Sequence, residues 1–104
     1  MYLSTTETVP SEEVVEILGI AKGNTVRAKN VGRDITQAIR NITGGELKSY
    51  SSLLSDAREE ALSRLEEDAQ SVGADAVVNV RFETSEIAQG AAEILAYGTA
   101  VRLE

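Results

Sequence analysis

The sequence predicts an α+β fold, a two-layer domain with two helices packed on one face of an antiparallel sheet, in the order β-β-α-α-β-β. Three observations carry this. Both ends of the chain are rich in β-branched and apolar residues at period-two spacing. The middle holds two segments whose apolar residues recur every three or four positions, the helical period. At 104 residues, the chain reads as a single domain over 1–104.

The elements follow in order. Tyr2, Leu3 and the threonines at 5 and 6 favour a short terminal strand. Pro10, the one proline, sits in Thr8-Val9-Pro10-Ser11 and reads as a loop between extended segments. Over 13–21, Val15, Ile17 and Gly19 fall on one side, and Val14, Leu18 and Ile20 on the other with Glu16. A strand apolar on both faces wants cover on both. Lys22-Gly23-Asn24 reads as a turn, after which 25–28 resumes extended.

A short first helix is expected through Val31, Ile35, Ala38, Ile39 and Ile42, closed by Gly44-Gly45. The second helix is the clearest element. Its stripe is Leu47, Tyr50, Leu54, Ala57, Ala61, Leu65, Ala69 and Val72, with Gly73 as the stop. Glu60–Arg64 and Arg64–Asp68 stand four apart, where helical side chains meet. Two strands then follow. Ala76, Val78, Val80 and Phe82 are expected on one face of the first. Residues 84–92 read as a hairpin loop, and 93–103 alternate again.

Composition excludes several chemistries. There is no Cys and no His, so thiolate nucleophiles, thiolate or imidazole metal ligands and the usual neutral-pH base are absent. A net charge of −7, with scattered basic residues and four aromatics, disfavours nucleic acid and anionic membranes. No apolar run is long enough to span a bilayer, and the first residues lack the pattern of a signal peptide. Two helices cover one sheet face only. The remaining apolar strand surface, with edge-capable strands, predicts a homo-oligomer.

Candidate sites are few. Asp56, Glu59, Glu60 and Glu67 share an acidic helix side that could gather a hard cation through oxygen ligands such as Ca²⁺, Mg²⁺ or Mn²⁺ accept. Glu66-Glu67-Asp68 splay by about 100° each on a helix and read as a solvated face. Arg33 and Arg40, seven apart on the first helix, could clamp an anion or a carboxylate of a neighbouring subunit; Asp34 beside them complements the helix dipole. Arg58 can pair with the same acids, and Tyr50 and Tyr97 could shape a pocket. Gly44-Gly45 lacks the pattern of a phosphate loop. No catalytic residue stands out.

An ordered set of motifs resembles the YbjQ-like family, also called UPF0145 or DUF74. It runs Ser4-Thr5-Thr6, Arg33-Asp34-Ile35 with Ile39-Arg40, Gly44-Gly45, Tyr50, Ala57-Arg58, Ala61, Leu65, Ala69, Gly73-Ala74-Asp75-Ala76-Val77-Val78 and Gly98-Thr99-Ala100-Val101. The resemblance implies a small cytoplasmic subunit assembled as a pentameric ring, and a family label of heavy-metal binding, but no established activity. Three readings result: a non-catalytic structural or ligand-binding homo-oligomer, a metal-binding protein with carboxylate ligands, or a small-molecule binder or weak enzyme with a site between subunits near Arg33, Arg40 and Tyr50.

Overall fold

A computed structural model describes residues 1–28, 44–88 and 91–104, and over 44–50 the backbone alone. Its elements are β1 (Tyr2–Leu3), β2 (Val14–Ala28), α1 (Gly44–Ser71), β3 (Ala76–Ala88) and β4 (Ala91–Leu103). The strands form one sheet ordered β1-β3-β4-β2.

This corrects the expected β-β-α-α-β-β order and antiparallel sheet. The described residues hold one helix, and the helix expected over 31–42 lies outside them. Gly44-Gly45, expected to close that helix, lie within α1 as its first described residues. The sheet is mixed. β3 and β4 form an antiparallel hairpin and β2 is antiparallel to β4, but β1 runs parallel to β3. The cause is the connection between β1 and β2. These strands lie on opposite edges, so residues 4–13 must cross a face of the sheet. At the crossing, Val9-Pro10-Ser11-Glu12 makes a turn closed by Glu12 N–H on the Val9 carbonyl at 3.1 Å. Pro10 sets its second position and Ser11, at φ 66, its third, the pattern of a type II turn.

Helix α1 lies over β2 and β4 on one face. Ala57, Ala61, Leu65 and Ala69, all from the expected stripe, are buried against Ala21, Val77, Val80, Ile94, Ala96 and Ala100. Full burial of a side chain such as Leu65 contributes about 1.5–3 kcal/mol. Gly73, at φ 77, ends the helix as expected: its N–H reaches the Gln70 carbonyl at 3.0 Å, and Ala74 N–H the Ala69 carbonyl at 3.1 Å. That bond pair is a Schellman cap, and Ala74 adds its apolar contact to the core.

Two local readings need correction. Lys22-Gly23-Asn24 is not a turn; β2 is continuous from Val14 to Ala28. Gly23 lies where the strand passes beneath α1, and a Cβ there would press well inside contact distance of the Leu65 amide nitrogen and the Ala61 carbonyl oxygen. Glycine serves close approach here, not reversal. In β3, the expected common face of Ala76, Val78, Val80 and Phe82 breaks at Asn79. Val78 pairs with Thr99 but Arg81 with Tyr97, so one residue is extra, and Asn79 takes φ 55. This bulge turns Val80 to the helix side with Val77, while Ala76 and Val78 stay on the other. The hairpin also extends further than expected, to Ala88 and Ala91.

Candidate functional site

Among the described residues, the face of the sheet away from α1 is covered only at one end. There Val9 from the crossing segment is buried with Ala76, Val78 and Val101, and Val14 and Leu103 pack beside them. Residues paired across strands share a face. The register therefore places Ile17 with Val101, Ile20 with Thr99, Lys22 and Arg81 with Tyr97, and Glu83 with Leu95 on this side. Ile20 is 77% exposed and Ile17 71%. Isolated exposed apolar residues are ordinary, but here two on one strand share the face with half-buried Tyr97 and Leu95.

Between the crossing segment and the sheet lies a groove of about 480 Å³. Val14, Ile17, Val78 and Val101 line it with apolar surface, and the exposed residues Glu7, Glu12 and Glu13 add carboxylates. Asn79, in its left-handed conformation, lines it as well. Such a groove can hold an apolar body with a positive end. Its hydroxyls, from Thr8 and Thr99, have neither His nor Cys in the chain to work with.

The strongest polar constellation lies on the other side, where α1 meets the edge of β2. Arg27 and Arg64 both pair with Glu60. Thr25, 1% exposed, donates its hydroxyl to Glu60 at 3.4 Å and accepts from Arg27 Nη1 at 2.9 Å. The hydrogen bond from Arg27 holds the Glu60 carboxyl below its usual range, against an opposing desolvation, and the charges of Arg27 and Arg64 and the Thr25 hydroxyl act in the same direction as the bond. Further along the edge, Arg64 Nη1 donates to the Asn24 carbonyl at 2.6 Å, and Asp68 accepts the Lys22 N–H at 2.9 Å. Here a helix is clamped to a strand edge by charged hydrogen bonds, and every carboxylate in the clamp is engaged.

Of the residues singled out from sequence, Arg33, Asp34 and Arg40 lie outside the described residues. Tyr50 falls within α1, where the backbone alone is described. Arg58 is exposed and reaches Ser55 Oγ at 3.5 Å. Asp56, Glu59 and Glu67 are exposed on α1, and Glu60 is drawn into the clamp. No cluster of three or more acidic side chains suited to a metal ion occurs among the described residues. The expected Glu60–Arg64 pair forms, while Asp68, the other expected partner of Arg64, accepts from Lys22. Sequence reasoning missed Thr25 and Arg27. Their signal was their alternate position in the extended stretch 25–28, and what the sequence hid is that this side faces Glu60 on α1. It also missed Asn79, one of the residue types that tolerate left-handed backbone.

A family model described as "Putative heavy-metal-binding" matches residues 1–104. A UPF0145 protein of Halobacterium salinarum is 70% identical over 103 residues, 99% of each chain. A UPF0145 protein of Archaeoglobus fulgidus is 62% identical over 103 residues, 99% of this chain and 95% of that one. Among solved structures, a protein of unknown function of the DUF74 family from Pediococcus pentosaceus superposes with a TM-score of 0.61 at 12% identity, over 100% of this chain and 98% of that one. At that identity the likeness speaks for the fold alone.

Proposed function

Because this chain belongs to the YbjQ-like (UPF0145) family, whose members share the fold without a common activity in their names, we propose that it works as a non-catalytic homo-oligomer, a structural or ligand-binding module. The supporting observation is the sheet face that the described residues leave uncovered. α1 shelters one side, Val9 and its neighbours shelter one end of the other, and Ile17 and Ile20 are left at 71% and 77% exposure. A second copy supplies the missing cover at no cost in new sequence. Five copies in a ring, in the cytoplasm, are the finer form of this reading. Among the described residues, no helix is long and apolar enough to cross a membrane. Light scattering coupled to size exclusion at micromolar concentration tests assembly: a defined multimer is expected, and a clean monomer removes the reading.

The family description points to a heavy metal, and the donor set here does not fit one. Soft and borderline ions prefer thiolate and imidazole, and the sequence has neither Cys nor His. The acidic side of α1 offers Asp56, Glu59 and Glu67 as separate exposed carboxylates, and Glu60 already serves two arginines.

A further inference from the structure

We propose that the groove between the crossing segment and the sheet binds a small amphipathic amine, its apolar body on Val14, Val78 and Val101 and its protonated head among the Glu7, Glu12 and Glu13 carboxylates. This names a ligand class for the ligand-binding side of the reading above and rests on that reading. It does not rest on assembly, because a single copy supplies every residue of the groove.

The floor comes from the sheet. Val78 and Val101 are buried and Val14 is half-buried beside them, so the groove is floored by hydrocarbon. Ile17, at 71% exposure, adds apolar surface that a ligand would cover. The volume of about 480 Å³ falls within the range of small-molecule sites, about 300–1,000 Å³.

The rim comes from the crossing segment. Residues 4–13 hold three glutamates and neither lysine nor arginine. Glu7, Glu12 and Glu13 form no ion pair among the described residues. Arg102, next to Val101 on β4, is already taken by Glu16 at 3.2 Å. Carboxylates alone would make only a solvated edge. Here they border hydrocarbon, and low-dielectric walls focus the field of charges of one sign. Among the described residues no three acids gather closely enough for a metal ion. The charge complement is therefore an organic cation with an apolar body. Asn79 narrows the head group. The bulge in β3 sets it against the same groove at φ 55, and a bulge re-aims a side chain. Its N–H goes to the Thr6 carbonyl at 3.0 Å, while its carboxamide bonds none of the described residues. Carboxylates and a carboxamide oxygen all accept hydrogen bonds. The head they suit is a donor, a primary ammonium with three N–H groups and not a quaternary one.

Calorimetric titration of the full chain with n-octylammonium chloride is the test. Saturable binding below millimolar is expected, gaining about fourfold per methylene from butyl to octyl. Octanoate, with the same body and the opposite charge, and octyltrimethylammonium, with no N–H, should each bind at least tenfold more weakly. Glu7→Gln, Glu12→Gln and Glu13→Gln together should cost at least tenfold. Asp56→Asn, Glu59→Gln and Glu67→Gln together, which remove the same charge from the exposed side of α1, should cost less than twofold. Asn79→Gly, which keeps the backbone and removes the carboxamide, should cost about two- to tenfold. Light scattering is run on the same samples. An assembled parent with no saturable heat, equal losses in the two triple variants, or octanoate binding as tightly as octylammonium overturns the site and leaves self-assembly standing. Octylammonium that splits the multimer makes a neighbouring copy the natural occupant and likewise overturns the site. A monomeric parent that binds octylammonium overturns self-assembly and leaves the site standing.

Discussion

Gly23→Ala is the substitution for which the structure makes the sharpest demand. The new Cβ would press far inside contact distance on the Leu65 amide nitrogen and the Ala61 carbonyl oxygen, and would lie 2.7 Å from the Arg64 carbonyl carbon. All three are backbone atoms of α1, so no side chain can turn aside. Ordinary contact begins near 3.4 Å. The helix must therefore retreat by about 1 Å along the line where Ala57, Ala61, Leu65 and Ala69 are buried. A gap of that size forfeits roughly a quarter to a half of each dispersion contact it opens. Overpacking alone costs about 1–3 kcal/mol, and the immovable backbone puts this case at the upper end, about 3 kcal/mol. For a domain of this size each kcal/mol is worth about 4–8 °C, so Tm should fall by roughly 12 °C or more. Thermal denaturation followed by circular dichroism is the assay, at fixed protein concentration because assembly raises the apparent Tm. A Gly23→Ala protein within about 1 kcal/mol of the parent would refute the close approach of α1 to β2.

Three other outcomes are expected. The Glu60 carboxyl has a folded pKa below its ordinary value of 4.5, so its ion pairs favour the folded state above that value and their contribution is lost as pH falls through the lower folded value. Glu60→Gln should therefore flatten the fall of urea midpoints as pH drops below about 4.5, and identical slopes in parent and variant would contradict the clamp. At Asn79, φ 55 forbids little to glycine and much to a β-branched residue. Asn79→Gly should be neutral within about 0.5 kcal/mol and Asn79→Val should cost about 1–3 kcal/mol in denaturant unfolding; equal effects would argue against the bulge. Calorimetric titration with Zn²⁺ or Cu²⁺ should show no saturable heat below millimolar, since the chain lacks thiolate and imidazole donors.

The legible parts of this fold were those in which one periodicity ran undisturbed. The stripe from Ala57 to Ala69 is buried as spaced, Gly73 caps the helix, and 93–103 alternate as read, with Ile94, Ala96 and Ala100 on the core side. Failures came where a residue's local preference was put to a non-local use. Gly23 and Asn24 carry turn signals, yet Gly23 lets α1 approach and Asn24 presents its carbonyl to Arg64. Asn79 breaks the period of two within β3, and a period count assumes no extra residue. The parallel pairing of Tyr2 with Ala76 joins residues far apart in sequence, where no local pattern reports it. Among the site residues, Glu60 was chosen for its charge, and its use was hidden because Arg27 reaches it from another element.

The path of residues 4–13 sets an order of events for the chain as it folds. Tyr2 and Leu3 lie against β3, and the Glu104 N–H bonds back to the Glu13 carbonyl at 2.9 Å. In chain order this segment precedes the β3–β4 hairpin that it must lie on. Residues 1–13 therefore wait, undocked, until the hairpin has formed, and their arrival completes both the sheet and its capped end.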